Sequence, residues 1–186
     1  MKKLAMLMLM VTIISAQGLK LDLMGGIGIT KGSEVLNDEL FKITLQSGAN
    51  YGLRAQAIAS NIGIEFYYTL NTLEPDAIDK LTNGVLDFSD KFANYGIGLI
   101  LQGKGFLAPY LSLDYGKTKF LGEHKYAPDG KHYSVGLGLK FMPTSIGLWG
   151  EARLLRVSDL FKDLKEFTTE GKFTTFSVTV GGVFRF

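Results

Sequence analysis

From residue 19 onward the chain keeps returning to one pattern, in which apolar side chains alternate with polar or small ones. Leu19, Leu21, Leu23, Gly25, Ile27 and Ile29 alternate with Lys20, Asp22, Met24, Gly26 and Gly28. Successive strand side chains point to opposite faces, so this run predicts a strand with one apolar face. Seven further segments repeat it. The second carries Phe41, Ile43 and Leu45, then Ala49, Tyr51, Leu53, Ala55, Ala57 and Ala59 in one phase, with Arg54 and Gln56 in the other. It reads as one long strand; a turn at Ser47 to Asn50 would instead give nine strands. Ile62 to Leu70 sets its apolar row against Glu65, Tyr67 and Thr69, and Tyr95, Ile97, Leu99 and Leu101 form the fourth row. The fifth has Leu107, Pro109, Leu111, Leu113 and Tyr115 against Tyr110, Ser112 and Asp114. The sixth has Tyr133 to Phe141 against Ser134, Gly136, Gly138 and Lys140. Ile146, Leu148, Gly150, Ala152 and Leu154 oppose Trp149, Glu151 and Arg153, and the last segment runs from Thr174 to Phe186 with Phe176, Val178, Val180, Phe184 and Phe186 on its apolar face.

The connections alternate in length. Ser60-Asn61, Gly103 to Gly105 and Met142 to Ser145 are tight turns, whereas 31–39, 73–92, 117–131 and 155–172 are long and charged. Short turns on one side, long loops on the other and apolar rows facing out predict an all-β, eight-stranded antiparallel up-and-down transmembrane barrel. The turns then lie in the periplasm, the loops are extracellular, and the last strand pairs with the first so that no edge is exposed. Tyr68, Tyr95, Tyr115 and Tyr133 toward the loops, and Phe106, Phe141 and Phe186 toward the turns, fit two interfacial girdles. A soluble lipocalin-like barrel is the alternative, with the apolar face inside.

Lys2 and Lys3 precede the apolar run Leu4 to Ile14, and Ser15-Ala16 supplies small residues before Gln17, the layout of a signal peptide over 1–16 ahead of a barrel domain over 17–186. Without Lys2 and Lys3 the 20 basic residues become 18, equal to the 18 acidic ones, so no cationic excess marks a nucleic-acid partner. With no cysteine and two histidines, no lipid anchor, disulfide or metal site is expected, and no cofactor.

Eight strands enclose a space that side chains fill, so the lumen is expected to be plugged rather than open. Folding the Ser60-Asn61 turn on itself sets Arg54 opposite Tyr67 and diagonal to Glu65. Folding Met142 to Ser145 sets Trp149, Glu151 and Arg153 opposite Gly138, Gly136 and Ser134. Buried charges need partners. Arg54 and Arg153 with Glu65 and Glu151, and Lys20, Asp22 and Arg185 where the first and last strands close, are therefore expected to form lumen ion pairs. A gated ion or proton path along them is the functional alternative.

These features resemble the small outer-membrane barrel family, which includes the barrels of outer membrane proteins A and X. The resemblance covers the barrel but rests on pattern and on Phe184-Arg185-Phe186. It implies that Val178, Val180, Phe184 and Phe186 form the signal read by the barrel-assembly machinery, with Gly182 a departure from that pattern. It also implies a monomer in outer-membrane lipid, of structural, adhesive or defensive role toward a host or cell-surface ligand, or more rarely a narrow channel or transporter for a small solute. His132-Tyr133-Ser134 resembles the His-x-Ser spacing of the outer-membrane lipid A deacylases, a second alternative. The alternation turns both residues toward the lumen, away from lipid, so no catalytic residue is assigned. His132 is expected to be solvated at a strand's outer end, and His124 to be a loop residue.

The loops carry contacts on such a scaffold. In the last, Ser158 is placed to cap a short helix with Leu160, Phe161, Leu164 and Phe167 on one side, a contact surface for the barrel rim, lipid or a partner. Pro75 to Leu81 is a further short helical turn.

Overall fold

The computed structural model describes residues 18–32, 34–38, 41–44, 48–72, 91–121, 129–160 and 171–186. Among the described residues there are ten strands: β1 (Leu19–Gly32), β2 (Glu34–Asp38), β3 (Phe41–Thr44), β4 (Gly48–Ala59), β5 (Ile62–Thr72), β6 (Lys91–Gln102), β7 (Leu107–Phe120), β8 (Asp129–Phe141), β9 (Ile146–Leu160) and β10 (Gly171–Arg185). Eight of them close a barrel in the order β1-β10-β9-β8-β7-β6-β5-β4, with every neighbour antiparallel. β1 pairs with β10 from Asp22↔Arg185 to Gly32↔Thr175, and the Phe186 amide donates to the Leu21 carbonyl at 2.9 Å. The wall therefore has no free edge, which is the condition for backbone to cross hydrocarbon as strands.

The two faces are inverted relative to a water-soluble barrel. Ile29, Leu148 and Phe186 are 68%, 64% and 67% exposed, whereas Asp22, Glu65 and Lys140 are fully buried inside. A lipocalin-like arrangement needs the opposite, so that alternative is excluded. Tyr51, Tyr68, Tyr95, Tyr115 and Tyr133 face outward toward the loop end, and Phe106, Phe141, Phe184 and Phe186 toward the turn end. The Tyr115 and Tyr133 rings stand 5.0 Å apart and those of Phe106 and Phe141 5.9 Å.

Two turns follow from their residues. Ser60 and Asn61 close Ala59↔Ile62, with Ser60 at φ 61. In the second, Gly103 N–H donates to the Pro109 carbonyl at 2.7 Å, and Gly105 at φ +102 takes a conformation that a side chain would strain. The third corrects the expected register by two residues. Phe141 pairs with Leu148, so Trp149 faces Lys140, Glu151 faces Gly138 and Arg153 faces Gly136. Pro143 has no N–H to donate, Met142 N–H turns away to the Phe106 carbonyl at 2.6 Å, and the Thr144 hydroxyl binds the Ile146 backbone instead, which widens the turn.

At the loop end the strands differ from the expected ones. The predicted long second strand is two elements: Phe41–Thr44 pairs with Glu34–Asp38 as a separate hairpin, and the barrel strand starts at Gly48. Asp38 pairs with Phe41, only three residues away, so the local closure costs little chain entropy. Parts of the expected loops 117–131 and 155–172 are strand, extending β7 to Phe120, β9 to Leu160 and β10 back to Gly171. Ser158 is thus a strand residue paired with Lys131, not a helix cap, and Leu160 is also in β9. Phe161, Leu164, Phe167, His124 and Pro75 to Leu81 lie outside the described residues, as does 1–16.

Inside the wall, small residues make room for large ones. A Cβ on Gly138 would stand 2.3 Å from the Tyr110 ring, whereas one on Gly182, which faces out, meets nothing within 4 Å. Gly138→Val is expected to lower the unfolding free energy by about 1–3 kcal/mol, and Gly182→Val to leave it within about 0.5 kcal/mol. Urea unfolding in detergent micelles, followed by fluorescence of the single tryptophan, Trp149, checks both.

Candidate functional site

The lumen holds one connected set of charges. Arg54 Nη1 binds Glu65 Oε1 at 3.0 Å and its Nη2 binds Glu151 Oε1 at 2.8 Å. Arg153 reaches five neighbours with all three guanidinium nitrogens. Nε donates to Glu151 at 2.7 Å, Nη2 to Glu65 at 3.1 Å and to Ser112 at 2.9 Å, and Nη1 to Ser134 at 2.8 Å and to Asp114. Tyr110 donates to Glu151 at 2.9 Å and Gln56 to Glu65 at 2.8 Å. Gln56 also accepts from Lys140, which binds Asp22 at 2.6 Å and Gln102 at 2.7 Å. Asp22 in turn takes the Arg185 fork at 2.7 and 2.8 Å. The partners come from β1, β4, β5, β6, β7, β8, β9 and β10, so every strand of the wall contributes.

The charges balance, with Arg54, Lys140, Arg153 and Arg185 against Asp22, Glu65, Asp114 and Glu151. Buried ions are tolerated only when paired and fully hydrogen-bonded. Among the described residues, Arg54 Nε and Asp114 Oδ1 alone are buried side-chain N or O atoms without a partner. Aromatic faces supply further contacts: the Arg54 guanidinium carbon lies 5.5 Å from the Trp149 ring and that of Arg153 5.4 Å from the Tyr67 ring.

An apolar cluster of Met24, Ile100, Tyr110, Met142, Trp149 and Val183 is buried among these groups, with Asp22, Gln102 and Arg185 each two residues nearer the turn end than Met24, Ile100 and Val183 on the same strands. Toward the loops come two neutral hydrogen-bonded groups. Tyr67 meets His132, whose Nδ1 lies 2.9 Å from the Thr118 hydroxyl, and Thr118 donates to Asn94 at 2.7 Å. Thr30, Asn50, Asn71 and Thr179 form the other. Beyond them Phe92 and Phe173 meet edge to face at 5.6 Å, beside buried Leu155 and Val157.

Of the residues singled out from the sequence, Arg54, Glu65, Glu151 and Arg153 stand together, and Asp22 with Arg185. Lys20 is half-buried and takes no part in either group among the described residues. Lys140 and Asp114 were legible as inward-facing but not as ion-pair partners. Their contacts join strands that are not neighbours in the wall, and the register shift of two residues sets Lys140 beside Trp149. His132 is fully buried rather than solvated, because the strands carrying it and Tyr67 continue past the membrane belt. Ser134 is held by Asp114 at 2.9 Å and by Arg153, and His132 by Tyr67 and Thr118, so no Ser–His pair forms. Val178, Val180, Phe184 and Phe186 all face outward. Among the described residues no group of His, Cys, Asp and Glu is placed to hold a metal.

Removing Arg153 leaves three carboxylates under-compensated. Arg153→Leu is expected to cost about 3–5 kcal/mol. Arg185→Leu is expected to cost less, because the Arg185 side chain is 18% exposed and reaches water. Urea midpoints of the two variants, at unchanged slope, make the comparison.

No family model and no curated relative matches the sequence. Solved structures do match in fold. Neisserial surface protein A superposes at a TM-score of 0.66 with 15% identity, over 89% of this chain and 97% of that one. Ail, the attachment invasion locus protein of Yersinia pestis, gives 0.48 with 16% identity over 89% and 98%. The N-terminal barrel domain of OprF from Pseudomonas aeruginosa gives 0.47 with 11% identity over 90% and 97%. With the closed eight-stranded wall, the first of these places the fold among the small outer-membrane β-barrels.

Proposed function

We propose that this chain is an outer-membrane barrel with a closed lumen, acting as a structural and surface-interaction protein through its long loops rather than as a pore or an enzyme. The observation that carries the reading is the charge network contributed by all eight wall strands, with an apolar layer beyond it toward the loops. A solute passing through has to break several buried ion pairs, each costly to separate. The apolar exterior with its two aromatic girdles supports residence in a bilayer. The turns then face the periplasm and the loops the outside. Residues 1–16 act as the export signal, and Val178, Val180, Phe184 and Phe186 as the assembly signal for a monomeric barrel.

Neisserial surface protein A is by its name a surface protein, which favours the same placement for the loops here. The separate engagement of Ser134 and His132, both turned from lipid, favours a non-catalytic role over lipid A hydrolysis. Planar-bilayer recordings on the refolded barrel test the closed lumen. The baseline is expected to stay flat, and steady unitary conductance steps from pure protein would replace this reading with that of a narrow channel.

A further inference from the structure

Near the loop end of the lumen, one row of inward-facing positions runs across much of the wall. Phe173 on β10, Val157, His132, Gly116, Gly96 and Tyr67 on β5 follow one another through strand register. His132 lies one residue beyond Tyr133 of the girdle, on the water side of the membrane belt, and is nonetheless fully buried. Gly96 and Gly116 make room for this. A Cβ on either would stand 2.8 Å from the Tyr67 hydroxyl, which passes over the pair to meet His132 Nε2. β5 and β8 are three places apart in the wall, so this bond ties strands that share no ladder.

The hydrogen-bond pattern fixes the state of the ring. Thr118 gives its hydrogen to Asn94 Oδ1 at 2.7 Å, so its oxygen accepts from His132 Nδ1 at 2.9 Å. Nδ1 thus carries the single hydrogen of a neutral imidazole, and Nε2 accepts from the Tyr67 hydroxyl. A second ring proton has to sit on Nε2, where the Tyr67 hydrogen already points. Tyr67 must then turn that hydrogen away, toward Gly96 and Gly116, which offer no side-chain acceptor.

The charges around the ring also disfavour a cation. From β9 it feels Arg153, whose guanidinium carbon lies 5.4 Å from the Tyr67 ring, and from β4 that of Arg54 lies 5.9 Å from the same ring. On β7, Asp114 gives Oδ2 to Arg153 and Ser134 and turns Oδ1 toward Gly98. Among the described residues β6 and β10 present no inward charge at this level, and Lys117, Lys131 and Arg156 face outward. Burial first, and Arg153 second, lower the His132 pKa from 6.5 to about 4.

We propose that His132 is an acid-sensitive latch on the loop end of the barrel. Neutral, it joins β8 to Tyr67 on β5 and Thr118 on β7. Protonated, it gives up Tyr67 and frees the strand ends beyond the girdle, while the charge network nearer the turns keeps the barrel closed. The ring binds its proton less readily in the folded barrel than in the unfolded chain. Its contribution to stability is therefore whole above about pH 6.5 and is lost as the pH falls from there to about 4. The latch rests on the fold and its hydrogen bonds and not on what the loops contact, so another role for the loops leaves it intact.

The test is hydrogen exchange of the barrel refolded in nanodiscs, read by mass spectrometry at about pH 7.5 and about pH 5 and corrected for the intrinsic rate at each pH. Peptides covering 116–120, 130–134 and 155–158 are expected to open at least about ten-fold more at the lower pH, and those covering 136–141 and 146–152 to stay as they were. His132→Gln, neutral throughout, is expected to lose the response. His124→Gln, which removes the other of the two histidines, is expected to keep it. An unchanged wild type, an equal response in the turn-end peptides, or a His132→Gln variant that responds as wild type does each overturns the latch. If His132→Gln lacks the heat-dependent gel shift of a folded barrel, NMR titration of the remaining ring in folded His124→Gln decides: a pKa below about 5.5 upholds the latch, and one at or above that value overturns it.

Discussion

The structure depends on one constraint: charges placed inside a narrow barrel must neutralise each other, because nothing else is there to do it. Four cations and four anions meet in the lumen, and the groups linking them come from all eight strands of the wall. A network of this kind is sensitive to register, since a slip by one residue would turn its members out toward lipid. Its Coulomb energy is offset by the cost of burying ions, so its larger effect is on which closure the eight strands adopt.

The same closure governs the two ends. Below the girdle, apolar side chains face out and polar ones in. Beyond it the faces exchange roles: Lys117, Lys131 and Arg156 point out, while Phe92, Leu155, Val157 and Phe173 point in. The exchange follows from the surroundings, lipid below and water above. The barrel thus continues outward as an ordinary water-facing sheet with an apolar core that caps the lumen. The tyrosines mark the level at which one regime gives way to the other.

This exchange explains what was legible in the sequence and what was not. The membrane belt could be read residue by residue, because Leu53, Phe66, Ile97 and Leu137 face out in phase with Arg54, Glu65, Gly98 and Gly136 facing in. Strand ends beyond the belt were missed because Leu155 and Val157, apolar and inward, break the rule that worked below. A helix cap was assigned to Ser158, where the strand simply continued. Within the lumen, the hairpin partners Arg54 and Glu65 are local in sequence and follow from a two-residue turn. Asp22 with Lys140, and Arg153 with Asp114, join strands that are not neighbours in the wall, and those contacts depend on its stagger, which no single turn encodes.

The closure of the barrel turns on whether the lumen charges act as one coupled unit. The most direct measurement is a double-mutant cycle on Arg54 and Glu65, whose side chains meet at 3.0 Å with no more than 3% exposure. It compares urea unfolding of Arg54→Leu, Glu65→Leu and the pair. The predicted result is a coupling of roughly 2 kcal/mol, with the double variant less destabilised than the sum of the single ones. Additivity within about 0.5 kcal/mol would contradict it, and would mean that the barrel is closed by its wall alone.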